Sequence, residues 1–401
     1  MDSKIMKTLI LNKITLLLLL VFMLNSCTET YVLQSNTYEE ALVVEATITN
    51  ELKKHEIKLS KTARLEDDGI AIEIGASVVV KSNAGEIFSF EEKDGIYIAE
   101  SAFRAEPNKI YSLEIKTKDG KVYQSNEQTL TTPNEIESIV PTVVTDSKEG
   151  RGVQIKVNSY DPTNTSKYYR YEYDETYKII APKWRGEKLV VTGPQSVALE
   201  PNSTDTRICY ATKTSNEILL TNTTNLQEDR VNYQVRFISD QNYIITHRYS
   251  ILVKQYVQNL ESYTFRKTMK EISSSASVLS PKQPGFLDGN IKCISNSSEK
   301  AIGFFEVSSF SSKRIFFNYK DLFPGEPIPP YYTDCTDEEY KYCFGFSMPI
   351  PCRGKALIDN ISANTVTYSY NIESSYYYTV PVECGDCTSF SSNIKPSFWI
   401  D

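Results

Sequence analysis

The feature that most constrains the fold of this chain is a two-residue hydrophobic alternation, which recurs in short segments separated by turn residues. In residues 42–48, apolar side chains alternate with Glu45 and Thr47, a pattern typical of a strand with one buried face. Asp94-Gly95 and Asp119-Gly120 separate later segments of this kind, and Asp-Gly supplies the positive φ that a tight hairpin turn requires. The 401 residues include 27 tyrosines, which favour strands. The sequence therefore predicts a mostly β fold.

Short strands with frequent turn signals are typical of β-sandwiches. We predict tandem immunoglobulin- or fibronectin-like β-sandwiches, followed by one amphipathic helix and a cysteine-bearing carboxy-terminal β region. The amino-terminal sandwich is placed at residues 41–133, where Thr131–Asn134 provides a linker. A second, fibronectin-like sandwich is placed at residues 134–247. The helix and the cysteine-bearing β region occupy residues 248–401.

The third region begins with a change of periodicity. Over residues 249–272, apolar residues fall at three- and four-residue spacing and polar residues fill the other positions, which predicts an amphipathic helix. We expect this helix to pack on a sheet, and a partner-docking helix is the alternative. Strands are expected again in residues 290–295, 301–308 and 314–319.

The amino terminus has the features of an export signal. Three basic residues, Lys4, Lys7 and Lys13, precede an apolar run of eleven residues at 14–24. A helix that spans a bilayer needs about 20 apolar residues, so this shorter run predicts a secretory signal peptide instead.

A lipid attachment site is predicted directly after this run. Leu24-Asn25-Ser26-Cys27 resembles the bacterial lipoprotein cleavage box, with Asn25 in place of the usual small residue. We expect residues 1–26 to be removed and Cys27 to carry a diacylglycerol that holds the chain on a membrane. Residues 27–40 would form a polar tether. A plain secreted protein, with an ordinary thiol at Cys27, is the alternative.

The remaining cysteines predict cross-links in the carboxy-terminal region. Seven cysteines follow Cys27, and five of them lie close together: Cys335, Cys343, Cys352, Cys384 and Cys387. An exported chain keeps disulfides, so these five are candidate disulfide cysteines. The odd count leaves at least one thiol unpaired unless an intermolecular bridge forms. The Cys384-Gly-Asp-Cys387 motif also permits a zinc site or a redox motif, but a second matching pair and a βαβ pattern are both missing.

The sequence contains no familiar catalytic motif. Phosphate-binding loops, G-x-S-x-G and H-E-x-x-H are absent, so we expect no enzyme activity, no cofactor and no metal. Of the two histidines, His55 is expected on the surface of a polar strand and His247 in a structural role. A net charge of −8 argues against nucleic acid as a partner. A hydrolase with unrecognised carboxylates stays an alternative, because such a pair is defined in space.

Runs of adjacent tyrosines are the best candidates for a binding surface. They occur at residues 168–169, 331–332 and 376–378. Tyrosine offers a large, stiff contact area with a polar tip, although tyrosines that simply cover sheet faces are the more ordinary interpretation. Tyr331 and Tyr332 are the strongest pair, because they follow the proline-rich segment 324–330 that we expect to be exposed.

Several short motifs, in order, resemble the Bacteroidetes lipoprotein family of domain-of-unknown-function 4249 (DUF4249) type. The motifs are Leu42–Glu45 with Ile48-Thr49, Glu261–Phe265, Gly289–Ile291, Gly303–Phe305, Cys384–Cys387 and Lys395–Trp399. The spacer Thr388–Asn393 departs from the family, which often has paired glycines there.

The resemblance implies an outer-membrane lipoprotein whose gene lies near that of a TonB-dependent receptor. We therefore expect a lipid-anchored, non-catalytic accessory of such a receptor in nutrient uptake, with no catalytic residues to transfer from the family. The acidic Glu29, close to the predicted lipid, resembles surface-export signals of this bacterial group, and a periplasmic location is the other possibility. A free-standing adhesin or glycan-binding protein is the alternative function.

Overall fold

The structure is a computed structural model that describes residues 40–63, 69, 71–274, 287, 289–345 and 350–401. The predicted signal peptide, Cys27 and the tether as far as residue 39 lie outside the described residues. The described residues are mostly β, as predicted. The amino-terminal strands are β1 (Leu42–Thr49), β2 (Glu56–Lys61), β3 (Ser77–Ser82), β4 (Ile87–Lys93), β5 (Ile96–Ala99), β6 (Ile110–Lys116), β7 (Val122–Ser125) and β8 (Gln128–Thr129).

The remaining elements follow in three groups. The middle strands are β9 (Ile136–Asp146), β10 (Gly150–Asp161), β11 (Tyr168–Ile180), β12 (Glu187–Gly193), β13 (Ser196–Pro201), β14 (Ile208–Thr214), β15 (Leu219–Asn222), β16 (Asp229–Ser239) and β17 (Arg248–Gln258). Next come α1 (Leu260–Ser274), β18 (Ile291–Cys293), β19 (Ala301–Asn318) and α2 (Tyr319–Leu322). The last elements are β20 (Glu338–Lys341), α3 (Gly354–Ser362), β21 (Val366–Ile372), β22 (Tyr376–Pro381) and α4 (Val382–Gly385).

The amino-terminal strands form one curled sheet in the order β19-β1-β2-β5-β4-β3-β6-β7-β18. The predicted Asp-Gly turn is confirmed between β4 and β5, where Asp94 and Gly95 have φ of 53° and 79° and Lys93 pairs with Ile96. Two positive φ angles suit the right-handed twist of a two-residue hairpin. The apolar sides of these strands enclose one core, to which β18 and the first half of β19 also contribute.

Two facing sheets form the second sandwich. One sheet has the order β16-β10-β9, and the other contains β14, β11, β17 and β19. Their inner faces share a core that is unusually rich in tyrosine, with Tyr169, Tyr171, Tyr177 and Tyr249 buried in it. The buried hydroxyls are bonded; for example, Tyr249 donates to Glu175 Oε2 at 2.8 Å. A buried phenol keeps its polar tip satisfied in this way, so much of the tyrosine excess belongs to the core.

The prediction of a helix over residues 249–272 is wrong for the first half of this range. Residues 248–258 form strand β17, and the helix begins at Leu260, where the Asn259 side chain accepts from the Ser262 backbone N–H at 2.8 Å. β17 lies between β11 and β19 and is buried on both faces along most of its length. A strand buried on both faces loses the two-residue alternation, so its apolar residues also fit helical spacing.

The two strands predicted at 301–308 and 314–319 are one strand, β19, of 18 residues. Its first half pairs in parallel with β1, and its second half pairs antiparallel with β17. β19 therefore joins the sheets of the two sandwiches. Its polar middle stays in the strand because the linker and the start of β9 bond to it. Thr131 Oγ1 accepts from the Ser309 backbone N–H, and Ser311 Oγ accepts from the Ile136 N–H, both at 2.9 Å.

A buried charge cluster lies at this junction, beneath α1. Glu306 of β19 is 1 % exposed; its carboxylate accepts hydrogen bonds from Ser308 and from Gln258 Nε2, the latter at 3.1 Å. Arg170 and Arg266 place guanidinium nitrogens 3.7 and 4.0 Å from its oxygens. Burial opposes its ionisation, but the two arginines and the Ser308 hydrogen bond together hold the pKa of Glu306 below its ordinary value.

Two of the family-like motifs meet at the start of β19. Asn290 acts as a backbone substitute: its Oδ1 accepts from the Phe305 N–H at 2.8 Å, and its Nδ2 donates to the Phe305 carbonyl at 2.9 Å. Gly303 has φ of +141°, and a Cβ there would lie 2.1 Å from the Val44 carbonyl oxygen. A Cβ on Gly289 would lie 1.5 Å from the Gly303 oxygen. Both glycines therefore permit backbone contacts that a side chain would prevent.

The carboxy-terminal region adds a small sheet, in the order β20-β22-β21. Its core joins Tyr340 and Tyr368 to Leu357 of α3 and Leu189 of β12. The β12–β13 hairpin of the middle region thus completes a core supplied mainly by the cysteine-bearing tail.

His55 is buried, which corrects the expectation of a surface histidine. It is 1 % exposed, its ring lies edge-on to Phe103 with centroids 4.7 Å apart, and its Nε2 is 3.0 Å from the Phe103 carbonyl oxygen. Burial, together with the positive charge of Lys53, lowers the pKa of His55 from 6.5 to about 4.

The first prediction concerns Gly303. Replacement by alanine should destabilise the protein by about 3 kcal/mol or more, because strain at positive φ and a clash with β1 add together. Gly325→Ala is the matched control, since Gly325 also has positive φ (+77°) but has open space around its Cβ position; it should cost about 1 kcal/mol. Denaturant unfolding measures both, and equal losses would contradict the close approach of β19 to β1.

The second prediction concerns pH. The unfolded chain protonates His55 near 6.5 and the folded protein only near 4, so the full stability is present above pH 6.5 and falls as the pH drops towards 4. Linkage predicts that the free energy of unfolding falls by about 2 kcal/mol between pH 7.5 and pH 5 because of His55. His55→Gln should be less stable at pH 7.5 but should lack this part of the pH dependence. Urea unfolding at the two pH values tests this, and an unchanged pH dependence in the variant would refute the assignment.

Candidate functional site

Four aromatic side chains form a surface patch at one end of the second sandwich; we call Tyr243, Tyr331, Tyr332 and Phe390 the aromatic patch. The Tyr332 ring lies 4.9 Å from Tyr331, 5.1 Å from Tyr243 and 4.9 Å from Phe390, centroid to centroid. Tyr332 is 42 % exposed and Phe390 is 38 % exposed. The patch thus presents aromatic surface to solvent.

The two predicted tyrosines have different roles in this patch. Tyr331 is half-buried against the core of the second sandwich, and its hydroxyl donates to the Glu383 carbonyl at 3.0 Å. Tyr332 lies outside this core, and among the described residues its ring contacts are with patch members. Tyr331 therefore fixes the position, and Tyr332 offers the exposed face.

Both phenols stay protonated at neutral pH. Burial raises the pKa of Tyr331 above its ordinary value. Burial, followed by the negative charge of Glu383, raises the pKa of Tyr332 to about 12. Neither hydroxyl can act as a base near pH 7, so the patch offers ring faces and hydroxyl groups for binding.

Two disulfides hold the two sides of the aromatic patch. Cys335, three residues after Tyr332, is bonded to Cys384, and Cys387, three residues before Phe390, is bonded to Cys209 of β14. The predicted cross-linking of this region is thereby confirmed. Because the bridges converge on α4 and the turn after it, they fix the segment that carries Phe390 against the sandwich.

The third bridge joins Cys343, after β20, to Cys352, before α3. Cys293 of β18 is a buried free thiol, which agrees with the odd cysteine count.

The zinc and redox interpretations of the C-x-x-C motif are wrong. Cys384 and Cys387 are each bonded to a different distant cysteine, so the motif holds neither a dithiol pair nor free thiolates for a metal. Among the described residues, no three His, Cys, Asp or Glu side chains are grouped so that they could hold a metal ion.

Sequence reasoning did not assign Tyr243, Phe390 or Cys209 to this site. Cys209 had a partial signal, since five cysteines in the tail cannot all pair with one another, and the fifth must either stay free or pair with a cysteine outside the tail. Tyr243 and Phe390 had none, because each is far from Tyr332 in sequence and only the fold brings them together.

The other tyrosine runs mostly follow the ordinary interpretation. Tyr169 is buried and its hydroxyl donates to Asp229 at 2.8 Å, while Tyr168 packs on Tyr263 of α1. In β22, Tyr377 packs against the small core, and Tyr378 stacks on the exposed Tyr370 with centroids 4.3 Å apart.

A cleft of about 690 Å³ lies elsewhere, between α1 and the strands β7 and β18. Its lining mixes apolar residues such as Leu260 and Phe304 with amides such as Asn126 and Asn290. α1 itself packs on the junction, with Phe265 5.6 Å from Phe304, centroid to centroid. This packing agrees with a helix that covers a sheet.

The chain is thus a mostly β protein with cross-linked tail segments and an exposed aromatic surface. Residues 28–314 match the family described as Domain of unknown function (DUF4249), which is well over half of the chain, and the chain belongs to this family. The matched range ends within β19, before the three disulfide-bonded tail segments.

Other comparisons add little. The search of curated proteins finds no match. Two solved structures are similar at 8% identity: "Biofilm associated protein - BSP domain", with TM-score 0.12, 69% of this chain and 58% of that chain covered, and "Biofilm associated protein - B domain", with TM-score 0.09 and coverages of 68% and 85%. The chain therefore spans under two thirds of the length of the first. At these TM-scores the likeness supports no conclusion. None of the helices that the structure describes is long and apolar enough to cross a membrane.

The third prediction concerns the bridge beneath the patch. Cys209 and Cys387 are 178 residues apart, whereas Cys343 and Cys352 are only 9 residues apart. Chain-entropy arguments give a loss of about 5 kcal/mol when the long-range bridge is replaced by two serines, and about 3 kcal/mol for the short one. Guanidinium unfolding compares the two double variants. A greater loss for the short bridge would show that the long one does not constrain the unfolded chain.

Proposed function

We propose that this protein is an outer-membrane lipoprotein, anchored through a lipid on Cys27, that serves as a non-catalytic accessory of a TonB-dependent receptor in nutrient uptake. The short apolar run with its cleavage box supports the lipid anchor. The family resemblance supports the receptor as the partner. The single structural observation that favours a binding role is the exposed aromatic patch on a cross-linked frame.

The chemistry of the patch suits recognition of a partner. Tyrosine is enriched at the energetic centres of protein interfaces, because it buries a large area with little loss of conformational freedom. Tyr332 and Phe390 are exposed in the isolated chain, so a partner that covers them would gain hydrophobic free energy.

The frame beneath the patch also favours binding. Tyr331 is held by the core and by the Glu383 carbonyl, and the two disulfides restrain both flanking segments. A surface that is already ordered loses little entropy when a partner binds.

The fourth prediction tests this proposal in native membranes. Mild solubilisation of a tagged chain should recover a TonB-dependent receptor in near-equal amount, identified by mass spectrometry. Tyr332→Ala with Phe390→Ala should reduce the recovered receptor at least tenfold, because the exposed centre of the contact is lost. Cys27→Ala should release the chain from the membrane.

Tyr370→Ala is the matched control for the patch variant, since Tyr370 is also exposed (38 %) but lies on the small sheet. It should leave receptor recovery unchanged. Recovery of the chain without any receptor would refute the receptor proposal. In that case, glycan-array hits that disappear in the Tyr332→Ala variant would favour the glycan-binding alternative.

A further inference from the structure

In addition to the aromatic patch and the cleft beside α1, the structure contains a cavity of about 340 Å³ on the outer face of the second sandwich. Three adjacent strands supply its floor. Arg248 of β17 pairs with Asn318 of β19. Because Tyr177 pairs with Tyr249, Lys178 of β11 lies opposite Arg248 on the neighbouring strand. Lys178, Arg248 and Asn318 all line the cavity, and Lys320 of α2 lines it as well.

The charge of this cavity is predominantly positive. Lys178, Arg248 and Lys320 line it, and Asp401 is its one carboxylate among the described residues. Asp401 is shared between two lysines: it pairs with Lys395 and lies 3.9 Å from Lys178 Nζ. The charge of the Asp401 side chain therefore offsets only part of the three positive charges.

The nearby carboxylate of Asp321 is already engaged. It accepts hydrogen bonds from the Asn318 backbone N–H at 2.9 Å and from the Asn318 amide at 2.8 Å. It lies outside the lining of the cavity, although its charge still acts on Arg248.

Two buried polar groups at the cavity have no partner among the described residues. They are Arg248 Nε and Thr246 Oγ1. The Arg248 guanidinium lies over the Phe316 ring, 5.1 Å from its centroid, and its Nη1 donates to Asn318 Oδ1 at 3.2 Å.

We propose that this cavity binds a small molecule that carries a phosphate or carboxylate group. Guanidinium groups bind both oxyanions through paired N–H donors. Arg248 offers its guanidinium group, and Lys178 and Lys320 neutralise the charge of the ligand. Ile180 and Tyr319, which also line the cavity, accommodate a short apolar part of the ligand.

His247 contributes a neutral group to this site. Burial, together with the positive charge of Lys178, lowers its pKa below the ordinary value. At neutral pH it therefore adds hydrogen-bonding capacity to the cavity without adding charge. The proposal is independent of the receptor partnership, since no residue of the aromatic patch lines the cavity.

Calorimetric titration of the full chain tests the site, with inorganic phosphate and succinate as separate probes at constant ionic strength. We expect saturable one-to-one binding of at least one probe. Phosphate binding alone would identify a phosphate site, succinate binding alone a carboxylate site, and binding of both a general oxyanion site. Absence of saturable binding for both probes would overturn the proposal.

Arg248→Gln and Lys320→Gln should each weaken binding roughly tenfold, because each removes a charge-assisted contact. Lys320 is exposed on a short helix, so its variant tests the site even if Arg248→Gln fails to fold by circular dichroism. Arg230→Gln is the control, since it removes an arginine stacked on Tyr160, 4.0 Å from its centroid, on the opposite sheet. Equal affinity in Lys320→Gln and the wild type would also overturn the proposal.

Discussion

The carboxylate of Glu306 meets two arginines at the point where β19 passes from one sandwich to the other. Removing a charge from water costs several kcal/mol unless charges and hydrogen bonds compensate it. Here the compensation comes from several elements, since Arg170 lies on β11, Gln258 on β17 and Arg266 on α1. If one of these elements were displaced, a buried charge would lose its partner. The cluster therefore makes the arrangement of both sheets and the helix interdependent.

Four of the six family-like motifs gather around this same junction. Gly303 lets β19 approach β1, Gly289 packs against Gly303, and Asn290 completes the hydrogen bonds of Phe305. Ser262 is fully buried beside Gln258, whose amide donates to it at 2.8 Å. These motif residues have structural partners, so they explain how the two sandwiches are joined.

Local patterns predicted much of this fold, because hairpins depend on neighbouring residues. Strand β1 covers the alternating segment at residues 42–48, and the Asp94-Gly95 turn has the predicted backbone. The predictions that proved wrong have one cause: residues distant in sequence decide which side chains are buried. β17 is covered on both faces, the polar middle of β19 is satisfied by the linker, and His55 is covered by Phe103. The aromatic patch likewise depends on contacts between Tyr243, Tyr332 and Phe390 that no sequence spacing reveals.

Both candidate surfaces depend on how the tail lies on the second sandwich. The Cys209–Cys387 bridge and the hydrogen bond from the Tyr210 N–H to the Ser392 carbonyl, at 2.8 Å, attach the tail to β14. Trp399 then packs against Tyr210 and Phe316, with centroids 5.0 and 5.7 Å away. Phe390, at one end of this attached segment, completes the aromatic patch. Asp401, at the other end, lines the cavity that also contains Lys178, Arg248 and Lys320. The sandwiches therefore act as the scaffold, and the cross-linked tail shapes both surfaces on which the proposed binding depends.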